Sequence, residues 1–198
     1  MRILLIGASG AIGKAVFAEL SPRHEIVTAG RSSGDVRVDI ADIASVRQMF
    51  AEVGSIGAVA CAAGNVHFAP LAGMTPEQFD LGLRDKLMGQ VHLVLAGRDR
   101  VDPGGSFTLI AGILSRDPIV GGASASMVNG ALESFVRAAA IELPKHRINA
   151  VGPTLLEESA GALGSYFPGF EPVAAKRVGL AYAKSIEGAQ TGQVYNVP

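Results

Sequence analysis

Three glycines at a spacing of three, in Gly7-Ala8-Ser9-Gly10-Ala11-Ile12-Gly13, lie between the apolar run Ile3 to Ile6 and an amphipathic stretch that begins at Ala11. Such a turn lets the backbone N–H groups of Ser9, Gly10, Ala11 and Ile12 approach a pyrophosphate, and the helix that follows presents its positive end. The spacing predicts a dinucleotide site at the first strand-to-helix junction. After the second apolar run, where a site for an unphosphorylated adenosine ribose would carry an acidic residue, stand Ala29-Gly30-Arg31-Ser32-Ser33. A guanidinium pairs bidentately with a 2′-phosphate and a serine hydroxyl adds a hydrogen bond, so Arg31 and Ser32 point to NADP rather than NAD. The plain alternative is a solvated arginine in a polar turn, with Asp35 close by.

Residues of this kind must be carried to one edge of a sheet. Short aliphatic runs at Ile3 to Ile6, Glu25 to Ala29, Val36 to Asp39, Ala58 to Ala62, Ser106 to Ile110, Ile148 to Val151 and Gln193 to Val197 read as strands. Amphipathic stretches at Ala11 to Leu20, Asp42 to Val53, Pro76 to Leu95, Gly122 to Leu143 and Pro172 to Glu187 read as helices. Thr75, Pro76 and Gln78 form a capping-box signal for the third of these. The alternation predicts a single-domain α/β fold, a Rossmann-type doubly wound parallel sheet of seven strands. In such a sheet the loops after the strands hold the ligand.

Composition narrows the partners. Over 198 residues, 17 Lys and Arg balance 18 Asp and Glu, which argues against a surface built to neutralise nucleic-acid phosphates. With 48% hydrophobic and 18% charged residues the chain has the means to bury a core, and disorder is excluded. Mean hydropathy is +0.33, yet no apolar run approaches the length of a membrane span. One cysteine, Cys61, allows no internal disulfide and argues against a cysteine-based metal site. The cytoplasm is the default expectation.

The glycine loop, together with four later segments, resembles the short-chain dehydrogenase/reductase family over essentially the whole chain. Val38-Asp39-Ile40 is similar to the element whose Asp contacts adenine, although Asp42 looks more like a helix cap. Cys61-Ala62-Ala63-Gly64 is similar to the Asn-Asn-Ala-Gly element beside the adenosine ribose, with both asparagines lost. Asn149-Ala150-Val151-Gly152-Pro153 resembles the approach to the family's Pro-Gly turn, with Thr154 in place of its Gly, and implies that Pro153 and the backbone near Leu156 meet the nicotinamide end. Ala181-Tyr182 and Gly188 to Val194 resemble the closing helix and strand. The loop itself departs from the commonest family spacing, which would place glycine at Ala11. The resemblance implies an NADP cofactor, a small-molecule substrate covered by a loop near residues 157–170, and a homodimer or homotetramer paired through the two long helices.

The family's Asn-Ser-Tyr-Lys catalytic set is missing. Aligning Ala131-Leu132-Glu133 and Ala140 to Leu143 with the family's helix puts Ala125 at the Tyr position, Asn129 at the Lys position, Gly112 at the Ser position and Lys86 at the Asn position. All three tyrosines, Tyr166, Tyr182 and Tyr195, lie downstream of that helix. Lys86 is the leading replacement, a cation able to hold the nicotinamide ribose or polarise a substrate oxygen, against a solvated helix lysine as the plain reading. Ser115, with Arg116, could donate to a substrate oxygen from the loop after the fifth strand. His67 and Tyr166 are further candidates for the rim of the cleft, each equally readable as structural. The expected activity is an oxidoreductase acting on a small carbonyl or alcohol without the usual tetrad; the alternatives are a dinucleotide-binding sensor or partner that has lost the chemistry, or a non-redox activity.

Overall fold

A computed structural model describes residues 1–198. Its strands are β1 (Arg2–Ile6), β2 (Glu25–Gly30), β3 (Val36–Arg37), β4 (Ile56–Cys61), β5 (Val101–Ile110), β6 (Arg147–Pro153) and β7 (Val194–Val197). They form one sheet in the order β3-β2-β1-β4-β5-β6-β7, every neighbouring pair parallel. The helices are α1 (Ala11–Leu20), α2 (Ile43–Val53), α3 (Pro76–Leu81), α4 (Gly89–Gly97), α5 (Ala123–Glu142), α6 (Ala160–Leu163) and α7 (Ala175–Glu187).

The uninterrupted apolar character of β1 follows from burial on both faces. Leu4 and Ile6 join the core shared with α2, α4 and α5, while Ile3 and Leu5 join the core shared with α1 and α7. Successive side chains of a strand point to opposite faces, so one short run serves two helical layers. The strand order turns back between β1 and β4, which opens a crevice at their carboxyl ends. Two backbone bonds brace it there, Gly7 N–H to Ala29 O and Ala62 N–H to Ile6 O. Behind it, the Tyr182 hydroxyl of α7 donates to the carbonyl of Cys61.

The sequence reading and the structure differ in one element that bears on the site. Pro76 to Leu95 is not one α-helix. Its capping box at Thr75 and Gln78 forms as predicted, but α3 ends after six residues, and a π-helical stretch, Gly82–Met88, joins it to α4. Wide π turns are rare and recur where a side chain must be re-aimed. Asp85 and Lys86 lie on this stretch. β5 is also longer than expected at its start, running from Val101 through Pro103-Gly104-Gly105, with a register shift against β4 between Ile56 and Ala58. Asp42 caps α2, its carboxylate accepting from Ala44 N–H.

Candidate functional site

The three loop glycines have different reasons for being glycine. A Cβ on Gly13 would stand 2.1 Å from Gly7 O, and one on Gly7, where φ is +83°, would stand 2.8 Å from Ala62 O. Both are dictated by the chain's own packing. Gly10 is different: it is exposed, and a Cβ there would meet no atom of the protein closer than 3.6 Å. The space above it is left for something other than protein. The first turn of α1 carries no acidic residue and no side-chain cap, so its N–H groups are free to face an anion. These features fit a pyrophosphate.

One cleft of about 190 Å³ runs from this loop to the end of β2 and is lined by Gly7, Ser9, Arg31, Ser32, Ile40 and Asp85, among others. Arg31 Nη2 lies 3.2 Å from Asp39 Oδ1 and 3.9 Å from Asp85 Oδ1, with more than half of the side chain exposed. Asp35 plays no part in this: its carboxylate takes the N–H and hydroxyl of Thr28, both at 2.8 Å, and these bonds hold its pKa below the usual carboxylate range. Asp39 thus pairs with Arg31 as well as accepting from Ala41 N–H. The sequence reading missed Asp85, which is buried and accepts from Asn65 Nδ2 at 2.5 Å. The chain offers no local signal for it: Asp85 stands between Arg84 and Lys86, as a solvated helix acid would.

A second cavity, of about 240 Å³ and mainly apolar, lies at the ends of β5 and β6. Ala63 and Gly64 line both spaces, so the two adjoin along the strand ends. Of the residues singled out from sequence, Ile12, Ala62, Lys86, Pro153 and Leu156 line this cavity. Its roof comes from Ser159, Leu163 and Phe167, within the expected loop region but not at the expected Tyr166. Tyr166 packs against Phe68, ring centroids 5.8 Å apart, on the other side of the loop, where it lines a surface groove.

Lys86 reaches the cavity because Gly64 lets it. A Cβ on Gly64, whose φ of +138° already favours glycine, would stand 2.7 Å from Lys86 Cγ. Nζ donates to Ala111 O at 3.0 Å, and no carboxylate lies within 4 Å of it. Burial pushes its pKa down to about 8. Cys61, itself pushed up to about 12 by burial, is a neutral thiol donating to Ala63 O. The fully buried Gln90 holds the lysine's backbone, its amide donating to Lys86 O and Ile110 O and accepting from Ile110 N–H. β4 ends before reaching Ile110, and Gln90 supplies the bonds a strand would have made there.

Gly112 and Asn129, at the family's Ser and Lys positions, form a steric pair. A Cβ on Gly112 would stand 2.8 Å from Asn129 Nδ2, so the amide fills the room a residue-112 side chain would take. Ala125 lines the same cavity and brings no polar group. The structure does not bring Ser115 there. Its hydroxyl donates to Glu133 Oε1 at 2.5 Å, with Gly112 O 3.1 Å away, because the short helical turn at Ile113–Ser115 directs it against α5. Arg116 lines a separate surface depression with Asn196 and Pro198, and His67 lines neither cleft nor cavity, although its neighbours Val66 and Phe68 line the cavity.

The family model described as enoyl-(acyl carrier protein) reductase matches residues 11–191. Among solved structures, the protein lin1944 from Listeria innocua is 50% identical with a TM-score of 0.98, each chain covered completely. A small-chain dehydrogenase in complex with NADPH is 25% identical with a TM-score of 0.89, covering 100% of this chain and 96% of that one. Trihydroxynaphthalene reductase of Colletotrichum orbiculare is 27% identical over 176 residues, 76% of this chain, which spans only 62% of that relative's length. A match from the first turn of α1 almost to β7, on a sheet with this strand order, means that the chain belongs to the short-chain dehydrogenase/reductase family.

Proposed function

We propose that this protein is an NADP(H)-dependent oxidoreductase acting on a small apolar carbonyl compound or the matching alcohol, with Lys86 in place of the family's tyrosine. The observation that carries this reading is that the glycine-loop cleft adjoins, across Ala63 and Gly64, an apolar cavity whose wall holds a cation with no carboxylate partner. Gly7, Ser9, Gly10, Ala11, Ile12 and Gly13 cradle the pyrophosphate. Arg31 and Ser32 take the 2′-phosphate, Asp39 and Ile40 border the adenine, Ala62, Ala63 and Gly64 pass the ribose, and Pro153 and Leu156 face the nicotinamide. The bound dinucleotide supplies or accepts a hydride. Lys86, protonated below about pH 8, polarises the carbonyl oxygen and gives it a proton. Ser159, Leu163 and Phe167 keep water from the cavity, which strengthens the ammonium's effect on developing negative charge. Ser115 has no part in this chemistry.

Support for NADP comes from Arg31, and from the NADPH complex of a neighbour 25% identical. Titrating the protein with NADPH and NADH, then following NADPH oxidation over a panel of aldehydes and ketones, tests both halves of the reading. A second reading, a dinucleotide-binding sensor or partner without turnover, is favoured by Gly112 and Ala125, which bring no hydroxyl to the cavity. Tight NADPH binding with no oxidation of any carbonyl establishes that one instead. We also place self-association on the exposed apolar side chains of Leu81, Met88 and Leu95, with Met127 and Ile141 of α5, as a homodimer or homotetramer. A monomeric mass by light scattering at micromolar concentration overturns it. No helix is long and apolar enough to cross a membrane.

A further inference from the structure

We propose that Lys86 and Asn129 form a two-donor site for a single oxygen atom, so that the cavity selects apolar molecules ending in a carbonyl or an oxyanion. This deepens the proposed function by adding a residue and a ligand class to the same cavity.

Lys86 Nζ is anchored to Ala111 O at 3.0 Å, and the Asn129 amide stands over the next residue, Gly112, in the room its side chain would occupy. Both groups therefore flank consecutive residues at the end of β5, and both line the cavity. Asn129 is only 3% exposed, yet neither end of its amide is bonded within the protein: the acceptor Oδ1 is enclosed without a partner, and the donor Nδ2, the atom that stands over Gly112, has no protein acceptor. Ser124 and Ser126, earlier on α5, also have unpaired hydroxyls but do not line the cavity. A buried polar group left unsatisfied costs about 1–3 kcal/mol, and a core built only for packing would replace it with an apolar one. With no protein acceptor for its Nδ2–H, the Asn129 amide can donate to a ligand oxygen in the mainly apolar cavity whose wall also carries the Lys86 ammonium. The remaining wall is mainly apolar, with Phe68, Leu114, Leu155 and Phe167, and its other polar side chains are Thr154 and Ser159.

In the proposed reduction, hydride addition to the carbonyl carbon moves the C=O π pair on to oxygen. The amide and the ammonium stabilise that charge, and Lys86 then gives one proton to form the alcohol and is reprotonated from solvent. The amide stays unchanged.

The test needs no dinucleotide. Hexanoate, whose carboxylate imitates the charged oxygen and whose chain fits an apolar wall, is titrated calorimetrically into the cofactor-free protein near pH 7. Saturable binding is expected, weakened at least about tenfold by Asn129→Ala, the loss of one hydrogen bond to a charged group. Asn129→Asp, of nearly the same shape, abolishes it and guards against a packing defect in the alanine variant. Gly112→Ser, which collides with the amide, also weakens binding; Gly112→Ser combined with Asn129→Ala regains most of it, the serine hydroxyl donating from the vacated room. A purely structural asparagine shows no such rescue. Failure of hexanoate to bind the wild type, equal affinity in Asn129→Ala, or a double variant no better than the singles overturns the proposal. NADPH titration of the same proteins reports separately on the proposed function: its failure in the wild type removes that reading and leaves the oxygen site standing.

Discussion

The cleft at the ends of β1 and β2 and the cavity at the ends of β5 and β6 adjoin at Ala63 and Gly64, yet they are built from different materials. The first is shaped by backbone: glycines, a bare helix end, and one arginine steadied by two carboxylates. The second is shaped by side chains that converge from a π turn, two strand ends, α5 and the 157–170 segment. A backbone site tolerates change at every position but a few, where an added Cβ has no room. A side-chain site tolerates change in its walls but depends on the few polar groups among them.

The sharpest contrast lies inside the glycine loop. Gly13→Ala forces a Cβ into the carbonyl of Gly7, so we expect a loss of more than about 3 kcal/mol of stability, read as a collapsed thermal transition or insoluble protein. Gly10→Ala keeps the wild-type melting temperature and loses dinucleotide binding. If Gly10→Ala binds NADPH normally, the open space above it is not a pyrophosphate site.

On the cavity side, Lys86→Met lowers carbonyl reduction by about 100-fold or more, with NADPH affinity changed far less, as removal of a general acid should. The same substitution stabilises the protein at pH 7, by an amount on the order of 1–2 kcal/mol. The sign follows from linkage. Burial depresses the pKa of Lys86 from 10.5 to about 8, so between these values the unfolded chain binds more protons and stability rises with pH. That rise is absent in Lys86→Met. In the wild type, reduction falls as pH rises through about 8, where the ammonium is lost. A Lys86→Met protein that keeps its activity, or melts lower at pH 7, makes Lys86 an ordinary structural lysine.

At the adenosine end the expected effect is smaller. Arg31→Ala weakens NADPH roughly 10- to 100-fold, the value of charge-assisted hydrogen bonds on a partly exposed side chain, and changes NADH by much less. Equal losses for both dinucleotides make Arg31 a general cleft residue with no preference for the 2′-phosphate. Smallest of all is Ser115→Ala. It breaks the bond to Glu133 and costs about 1 kcal/mol of stability, with turnover unchanged. A large loss of turnover would return Ser115 to the reaction.

Much of the fold was legible in the chain because its signals are local. Helix α1 begins and ends at the predicted residues, and α2, α5 and α7 agree to within a few positions. Period and capping decide such elements within a dozen residues. The break in Pro76 to Leu95 was not legible: an α-helical pattern continues through Gly82–Met88, while the contacts the π turn makes, through Gln90, Gly64 and the end of β5, come from distant parts of the chain. Ser115 misled for a related reason. Its position after β5 placed it near the site, but the direction of its hydroxyl was set by Glu133, eighteen residues later on another element.

By itself, then, the amino-acid sequence determined a doubly wound parallel sheet, the glycine loop at its first turn, and Arg31 at the end of the second strand. Each of these depends on spacing along the chain, which a linear pattern preserves. Only the tertiary structure decided that Asp85 stands beside Arg31, that Asn129 fills the room over Gly112, and that Lys86 is the unpaired cation of an apolar cavity. Those relations join residues 17 to 54 positions apart, through burial and excluded volume that no local pattern records.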